Sequence, residues 1–212
     1  TEASSTPTPS AGDSAASPTA ENQTPVSSTA SETTLKATTA NQPHLRSPQG
    51  VSEVWVDSKA GSDDNDGSQT AAVKTLEKAL GLVSDGGTIH TVGAFTSGTD
   101  LAINKNVTFT GSGNFLTITS GAKLSAPGKT VTMTGYNTAL TIQAGAELND
   151  GNYILDRNTI GFDLKGKING TSREALTISA KNSLGRGFVY NSDARFINCT
   201  VDVQATPGKS EQ

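Results

Sequence analysis

The sequence is short of most things that catalytic globules, disulfide scaffolds and nucleic-acid binders are built from. It has one Cys, which excludes an intramolecular disulfide framework and a Cys-based zinc site. Its 16 Lys and Arg are outnumbered by 20 Asp and Glu, for a net charge of −4. The basic residues form no cluster, so nucleic acid is not an expected partner. No run of roughly 18 apolar residues occurs, which excludes a membrane-spanning helix of ordinary length. Aromatics are 5% and apolar residues 33% of the chain, against roughly 45–50% apolar in an ordinary domain. What fills the space is Gly, at 22 positions, with Ser, Thr, Ala and Asn. The chain opens on Thr1 rather than Met, which reads as a processed or excised chain.

The composition is split. Six of the eight prolines precede Val51, and Ser, Thr, Pro and Ala fill 33 of the first 48 positions. Val26, Leu35 and Leu45 are the large aliphatics there. Such a stretch buries too little apolar surface to offset an ordering term of about 1–2 kcal/mol per residue. Residues 1–50 therefore read as a disordered linker or stalk, of the composition seen in extended, O-glycosylated spacers. Asn22-Gln23-Thr24 fits the N-glycosylation pattern. From Val51 the pattern changes. Val54-Trp55-Val56 is a short β-type run, and Gly61–Gly67 is an acidic, turn-rich loop. Thr75 is placed to cap a helix in which Leu76, Ala79, Leu80 and Val83 form one apolar stripe. Gly86-Gly87 is expected to end that helix.

Beyond Thr88 the chain repeats itself. Val107-Thr108-Phe109-Thr110-Gly111 matches Val131-Thr132-Met133-Thr134-Gly135 at an offset of 24 residues. Leu116-Thr117-Ile118 matches Leu140-Thr141-Ile142, and Gly121-Ala122 and Leu124 match Gly145-Ala146 and Leu148, at the same offset. Three independent groups at one offset define a repeat. The pattern extends into three series. One runs Ile89, Leu116, Leu140, Phe162 and Phe188. A second runs Val107, Val131, Tyr153, Leu176 and Phe196. A third runs Leu101, Leu124, Leu148 and Ile168. Each repeat thus holds about three short strands that alternate apolar and polar residues. A period of 22–26 residues with no helix describes a coil of a parallel β-helix. A leucine-rich repeat is disfavoured because its L-x-x-L-x-L pattern is absent.

The expected fold is therefore all-β: a right-handed parallel β-helix of about five coils over residues 88–212, with an N-terminal cap of strand, acidic loop and α-helix over 51–87. The helix covers the open first coil. Val201-Asp202-Val203 still reads as strand, so the solenoid is expected to continue past the C-terminal end.

Val54-Trp55-Val56-Asp57, Gly61–Gly67, Lys74–Leu80 and Asp85-Gly86-Gly87-Thr88-Ile89 together resemble the opening of secreted bacterial right-handed β-helix proteins of the pectate-lyase-like superfamily. Surface proteins and adhesins of Gram-positive bacteria begin in this way. The resemblance implies an extracellular or cell-surface location. It leaves function open, because lyases, hydrolases and non-catalytic adhesins share the opening. Enzymes of the superfamily use clustered Asp, often with Ca2+, and a Lys or Arg base on acidic polysaccharides.

Such a cluster is not evident. The coils carry Asp150, Asp156, Asp163, Asp193 and Asp202, and Arg157, Arg173, Arg186 and Arg195, without a carboxylate pair at the repeat offset. Within the acidic loop, Asp63, Asn65 and Asp66 are candidate Ca2+ ligands, being hard oxygen donors one to three residues apart. The loop lacks an EF-hand's final Glu, since that position is Lys74. Elsewhere, His44 and His90 read as solvated, Cys199 as a small residue in a stacking column, and Tyr153 and Tyr190 as packed in strand series. Tyr136 is a further candidate for stacking on a sugar.

The leading functional expectation is a non-catalytic extracellular module for adhesion or carbohydrate binding. Its targets would be a host glycan, a plant polysaccharide or a matrix protein, with no nucleic acid and no membrane insertion. The alternative is a fragment of a polysaccharide lyase or glycoside hydrolase acting on acidic polysaccharides; a third reading is a structural spacer.

Overall fold

A computed structural model describes residues 50–205. The chain divides into two units, Thr1–His44 and Leu45–Gln212, and all described residues belong to the second. The stalk reading, the Asn22 sequon and His44 lie outside the described residues.

Among the described residues, seventeen strands and one helix wind into a parallel β-solenoid. Every pairing between these strands is parallel. Three sheets form its faces. The first stacks β1 (Val51–Asp57), β2 (Val83–Val92), β5 (Val107–Gly111), β8 (Thr130–Thr134), β11 (Gly151–Asp156), β14 (Leu176–Ser183) and β17 (Thr200–Ala205). The second stacks β3 (Phe95–Ser97), β6 (Asn114–Ile118), β9 (Thr138–Ile142), β12 (Ile160–Leu164) and β15 (Arg186–Tyr190). The third stacks β4 (Leu101–Ala102), β7 (Lys123–Ser125), β10 (Glu147–Leu148), β13 (Lys167–Asn169) and β16 (Arg195–Ile197). One strand from each sheet makes a coil, so five complete coils are present, as the repeat implies.

Strand alternation sends one residue in two to the interior, and stacking turns these into columns. Ile89, Phe109, Met133, Leu155 and Ala180 form one. Leu101, Leu124, Leu148, Ile168 and Phe196 form another. The interior members up to Ala180 are almost fully buried. Two of the sequence-derived series change partners. Ile89 pairs with Phe109, and Phe95 instead heads the column Leu116, Leu140, Phe162 and Phe188. Tyr153 pairs with Ile178 and then Val201, while Leu176 sits opposite Gly151 and Phe196 belongs to the third sheet. The coils differ in loop length, so a fixed offset slips between sheets.

The Gly-Ala repeat is explained by the turn it makes. Gly121 and Gly145 have φ of +86° and +80°, where a side chain is strained, while Ala122 and Ala146 are buried at the bend.

The cap matches expectation in content and differs in its end. Helix α1 (Leu76–Leu82) is capped by Thr75, whose hydroxyl accepts from the Lys78 N–H at 3.2 Å. It buries Leu76, Ala79 and Leu80. Termination falls to Val83, which is already extended and opens β2. Gly86-Gly87 lies inside β2, at an irregularity where the pairing jumps from Val51↔Val83 to Glu53↔Thr88. Past the helix, Lys105 directs its ammonium at the carbonyls of Leu80, Gly81 and Val83, the unpaired helix-end acceptors.

Candidate functional site

The acidic loop is the first place to look, and its polar atoms are used to hold the cap together. Asp63 Oδ1 accepts from the N–H groups of Lys74 and Thr75, and Oδ2 accepts from the Thr75 hydroxyl, each at 2.9 Å. Burial pushes the Asp63 carboxyl up, but these bonds and the Lys78 charge outweigh it and leave the pKa below the ordinary value. The Asn65 amide donates to the Ala72 carbonyl at 2.8 Å. Asp66 Oδ1 accepts from the Ser68 N–H at 2.9 Å, which holds its pKa down. The three candidate ligands thus bond to three different stretches of backbone. Among the described residues, no group of three or more His, Cys, Asp or Glu side chains is arranged to hold a metal.

The coil carboxylates have similar work. Asp150 accepts from the N–H and hydroxyl of Thr171 at 2.8 and 2.7 Å. Asp156 accepts from the Asn182 amide at 2.8 Å and pairs with Arg157 at 3.0 Å. Asp163 pairs with Lys165 at 3.1 Å and stands in register with Thr141 and Val189, so no carboxylate stacks on it. A polar ladder also runs up the start of the first sheet. Asp85 binds Asn106, Asn106 Oδ1 accepts from the Thr130 N–H, and Thr130, Asn152 and Thr177 are joined by side-chain hydrogen bonds.

Tyr136 and Tyr153 are buried. Tyr136 stacks on Phe115 at 4.7 Å, and its hydroxyl is 2.8 Å from the Thr91 hydroxyl. Neither ring is available to a sugar. Tyr190 does occupy a column position opposite Leu164, yet it is 67% exposed. It lies with Phe188 and Phe196 at the last coil, ring centroids about 6 Å apart. Cys199 packs partly buried against the core, and burial raises its thiol pKa above the ordinary value, away from the nucleophilic thiolate form.

His90 is not the solvated residue expected. It is the outward neighbour of Ile89 on β2, in register with Trp55 on β1, and the two rings stack at 4.3 Å with an 11° interplanar angle. Its Nε2 lies 3.8 Å from Glu53 Oε1. Trp55 is fixed from behind: its N–H donates to Gly67 O at 2.8 Å and its carbonyl accepts from Val73 N–H at 3.0 Å. With Val51, Glu53, Asp66, Gly67 and Ser68 it lines a hollow of about 280 Å3. One indole and two carboxylates therefore share a concave surface, combining an apolar ring face with hydroxyl-accepting oxygens. The sequence carried the signal: Trp55, the one Trp of the chain, lies between Val54 and Val56, so alternation turns it outward.

Comparisons with family models, with characterised proteins and with solved structures find no match to this chain. The class the fold defines is a parallel β-solenoid with a helical N-terminal cap, and the function must be argued from its surface.

Proposed function

We propose that the chain is a non-catalytic, extracellular cell-surface module that binds carbohydrate, in keeping with an adhesin of the pectin-lyase-like type. The Trp55 hollow carries this reading. A preorganised aromatic platform flanked by Glu53 and Asp66 suits a sugar ring, whose C–H face packs on indole while its hydroxyls donate to carboxylates. Trp55 and Glu53 sit on β1, and side chains on strands hold their geometry better than those on loops, while the loop that brings Asp66 is tied to β1 by the Trp55 N–H to Gly67 O bond. The Ser/Thr/Pro-rich composition of residues 1–50 suits a spacer that carries such a module away from a cell wall. Host glycans or plant polysaccharides are the proposed targets; a matrix protein is the remaining partner class.

Because Trp55 is the one Trp, its fluorescence reports on the hollow directly. Titration with a panel of neutral oligosaccharides is expected to shift or quench the emission for at least one member, and Trp55→Ala should abolish that binding by calorimetry with the melting temperature preserved. A panel that leaves the emission unchanged throughout would remove the proposal.

A further inference from the structure

The cap seals the solenoid's first edge on one sheet and leaves it open on the next. On the first sheet, loop residues pair the outer edge of β1. Trp55 N–H donates to Gly67 O at 2.8 Å, Val73 N–H to Trp55 O at 3.0 Å, and Asp57 N–H to Val73 O at 2.8 Å. Val73 is fully buried there, so the segment that satisfies the edge also brings an aliphatic side chain to the core. On the second sheet the edge strand is β3, which has β6 on one side and no strand on the other. Ser58 N–H donates to Val92 O at 3.1 Å, just before β3, and among the described residues no backbone bond of the cap continues along the strand.

This open edge has a donor and an acceptor in place. Ser97 O accepts from Thr119 N–H at 3.0 Å, so Ser97 turns its backbone polar groups toward β6. Successive residues of a strand turn theirs to opposite sides, and Thr96 therefore directs its N–H and C=O away from β6. Among the described residues neither group has a hydrogen-bond partner. Beside them, between β3 and the start of α1, lies a hollow of about 230 Å3. It opens on the first members of two apolar columns, Phe95 followed by Leu116 and Leu101 followed by Leu124. The cap contributes Leu76, Lys74 and Glu77 to the lining. Among the described residues neither Lys74 nor Glu77 is in an ion pair. The volume is below the roughly 300 Å3 at which ordinary small-molecule sites begin, and it suits a side chain.

We propose that the β3 edge binds one extended segment of a partner polypeptide, which joins the second sheet as a further strand. The segment's backbone bonds the free N–H and C=O of Thr96, and one Leu or Val enters the hollow, the part that Val73 plays beside β1. Residues two before and two after that side chain share its face of the strand. An acid and a base at those places complement Lys74 and Glu77. The end of a second solenoid does not fit, because β1 stands one coil further out than β3 and its outer edge is already paired. The site shares no lining residue with the Trp55 hollow and is independent of carbohydrate binding.

The test uses the full chain and a blocked heptapeptide, Thr-Glu-Thr-Leu-Thr-Lys-Thr, followed by calorimetry and by amide exchange in NMR spectra. The exposed Thr96 amide should gain at least ten-fold protection at saturating peptide. A peptide with Asp in place of Leu should not bind. Of two copies N-methylated at alternate residues, one in each phase, one should bind and the other should not, because a strand pairs along one edge. Thr96→Pro removes a donor that the ladder to β6 does not use and should weaken binding at least ten-fold. Lys74→Glu combined with Glu77→Lys should weaken it several-fold and restore it for Thr-Lys-Thr-Leu-Thr-Glu-Thr. Trp55→Ala should bind the peptide as the unaltered protein does. No binding at millimolar peptide, equal binding of the Asp peptide, or a Thr96 amide left unprotected in the complex would overturn the assignment. Should Thr96→Pro fail to fold, the N-methylated peptides decide the matter on the unaltered protein, and equal binding of both copies would count against it.

Discussion

The Thr75 hydroxyl donates to Asp63 Oδ2 at 2.9 Å while its own oxygen, Thr75 Oγ1, accepts from the Lys78 N–H at 3.2 Å. The pair links the acidic loop to the first turn of α1 by a chain of directed hydrogen bonds, each polarising the next. Removing the carboxylate leaves the N–H groups of Lys74 and Thr75 without their acceptor. Asp63→Ala is expected to lower stability by about 1–2 kcal/mol, the usual scale for loss of a cap. Chemical denaturation with and without millimolar calcium separates the two readings of this loop. An equal loss in both conditions is the expected result, and a loss confined to calcium-containing buffer would assign the loop to a metal.

The same carboxylates set the acid limb of stability. Asp57 is held below its ordinary pKa by the N–H groups of Ala60 and Lys59, Asp85 by the backbone and side chain of Asn106, and Asp63 by the bonds named above. Each folded pKa is depressed, so the contribution is present above the unfolded value of 3.8 and is lost as pH falls through it to the folded value. The melting temperature should therefore be flat near neutrality and fall below about pH 4. Asp63→Asn should flatten part of that fall. A wild-type melting temperature that stayed constant down to pH 2 would contradict it.

Leu140 and Thr141 are adjacent and face opposite ways. Leu140 is fully buried between Leu116 and Phe162, while Thr141 is outward between Thr117 and Asp163. Leu140→Lys places an ammonium in an apolar column and is expected to cost several kcal/mol or prevent folding. Thr141→Lys sits beside Asp163 and should change stability by less than about 0.5 kcal/mol. Comparable melting temperatures for the two variants would mean that the register is wrong.

That contrast marks what could be read in the sequence. Period-2 alternation and the 24-residue offset were enough for the coil count and for the inward Phe109–Met133 and Leu116–Leu140 pairs, and the helical-period stripe behind Thr75 was enough for α1. The column heads were not legible. Phe95 lies 21 positions before Leu116 where the next step is 24, and loops of unequal length carry no periodic signal. The Trp55 hollow was half legible, since alternation exposes Trp55, but its partners Asp66 and Ser68 arrive through a loop whose path is set by long-range backbone bonds. Of the outward third-sheet column Lys123, Glu147, Lys167 and Arg195, the Lys123–Glu147 step has the legible offset of 24, whereas the steps of 20 to Lys167 and 28 to Arg195 emerge only when the unequal coils are stacked.

The polar ladder predicts an asymmetry between surface residues that look alike. Asn106 receives the Thr130 N–H at 2.9 Å and donates to Asp85, whereas Thr108, two positions on, lies between Thr88 and Thr132 on the open face. Asn106→Ala should destabilise by about 1–2 kcal/mol, and Thr108→Ala by no more than about 0.5 kcal/mol. Equal effects in urea denaturation would show that the ladder contributes nothing beyond ordinary strand propensity.

Lys105 offers the sharpest test of how the cap is fastened to the coils. It follows β4, so it belongs to the first coil, yet its ammonium reaches the carbonyls of Leu80, Gly81 and Val83 at the far end of α1. These acceptors have no intrahelical donor, and a cation there also meets the negative end of the short helix. Lys105→Met keeps most of the stem that packs on the cap and removes the charge and its donors. The expected loss is about 1–3 kcal/mol, the range for hydrogen bonds to a charged group. Because the contact joins cap to coil, the loss should be local. Hydrogen exchange should quicken in α1 and β1 while the amides of β8 and β11 keep their protection. Uniform acceleration across all coils would mean that cap and solenoid unfold as one unit, and unchanged exchange in α1 would show that the Lys105 contact holds nothing.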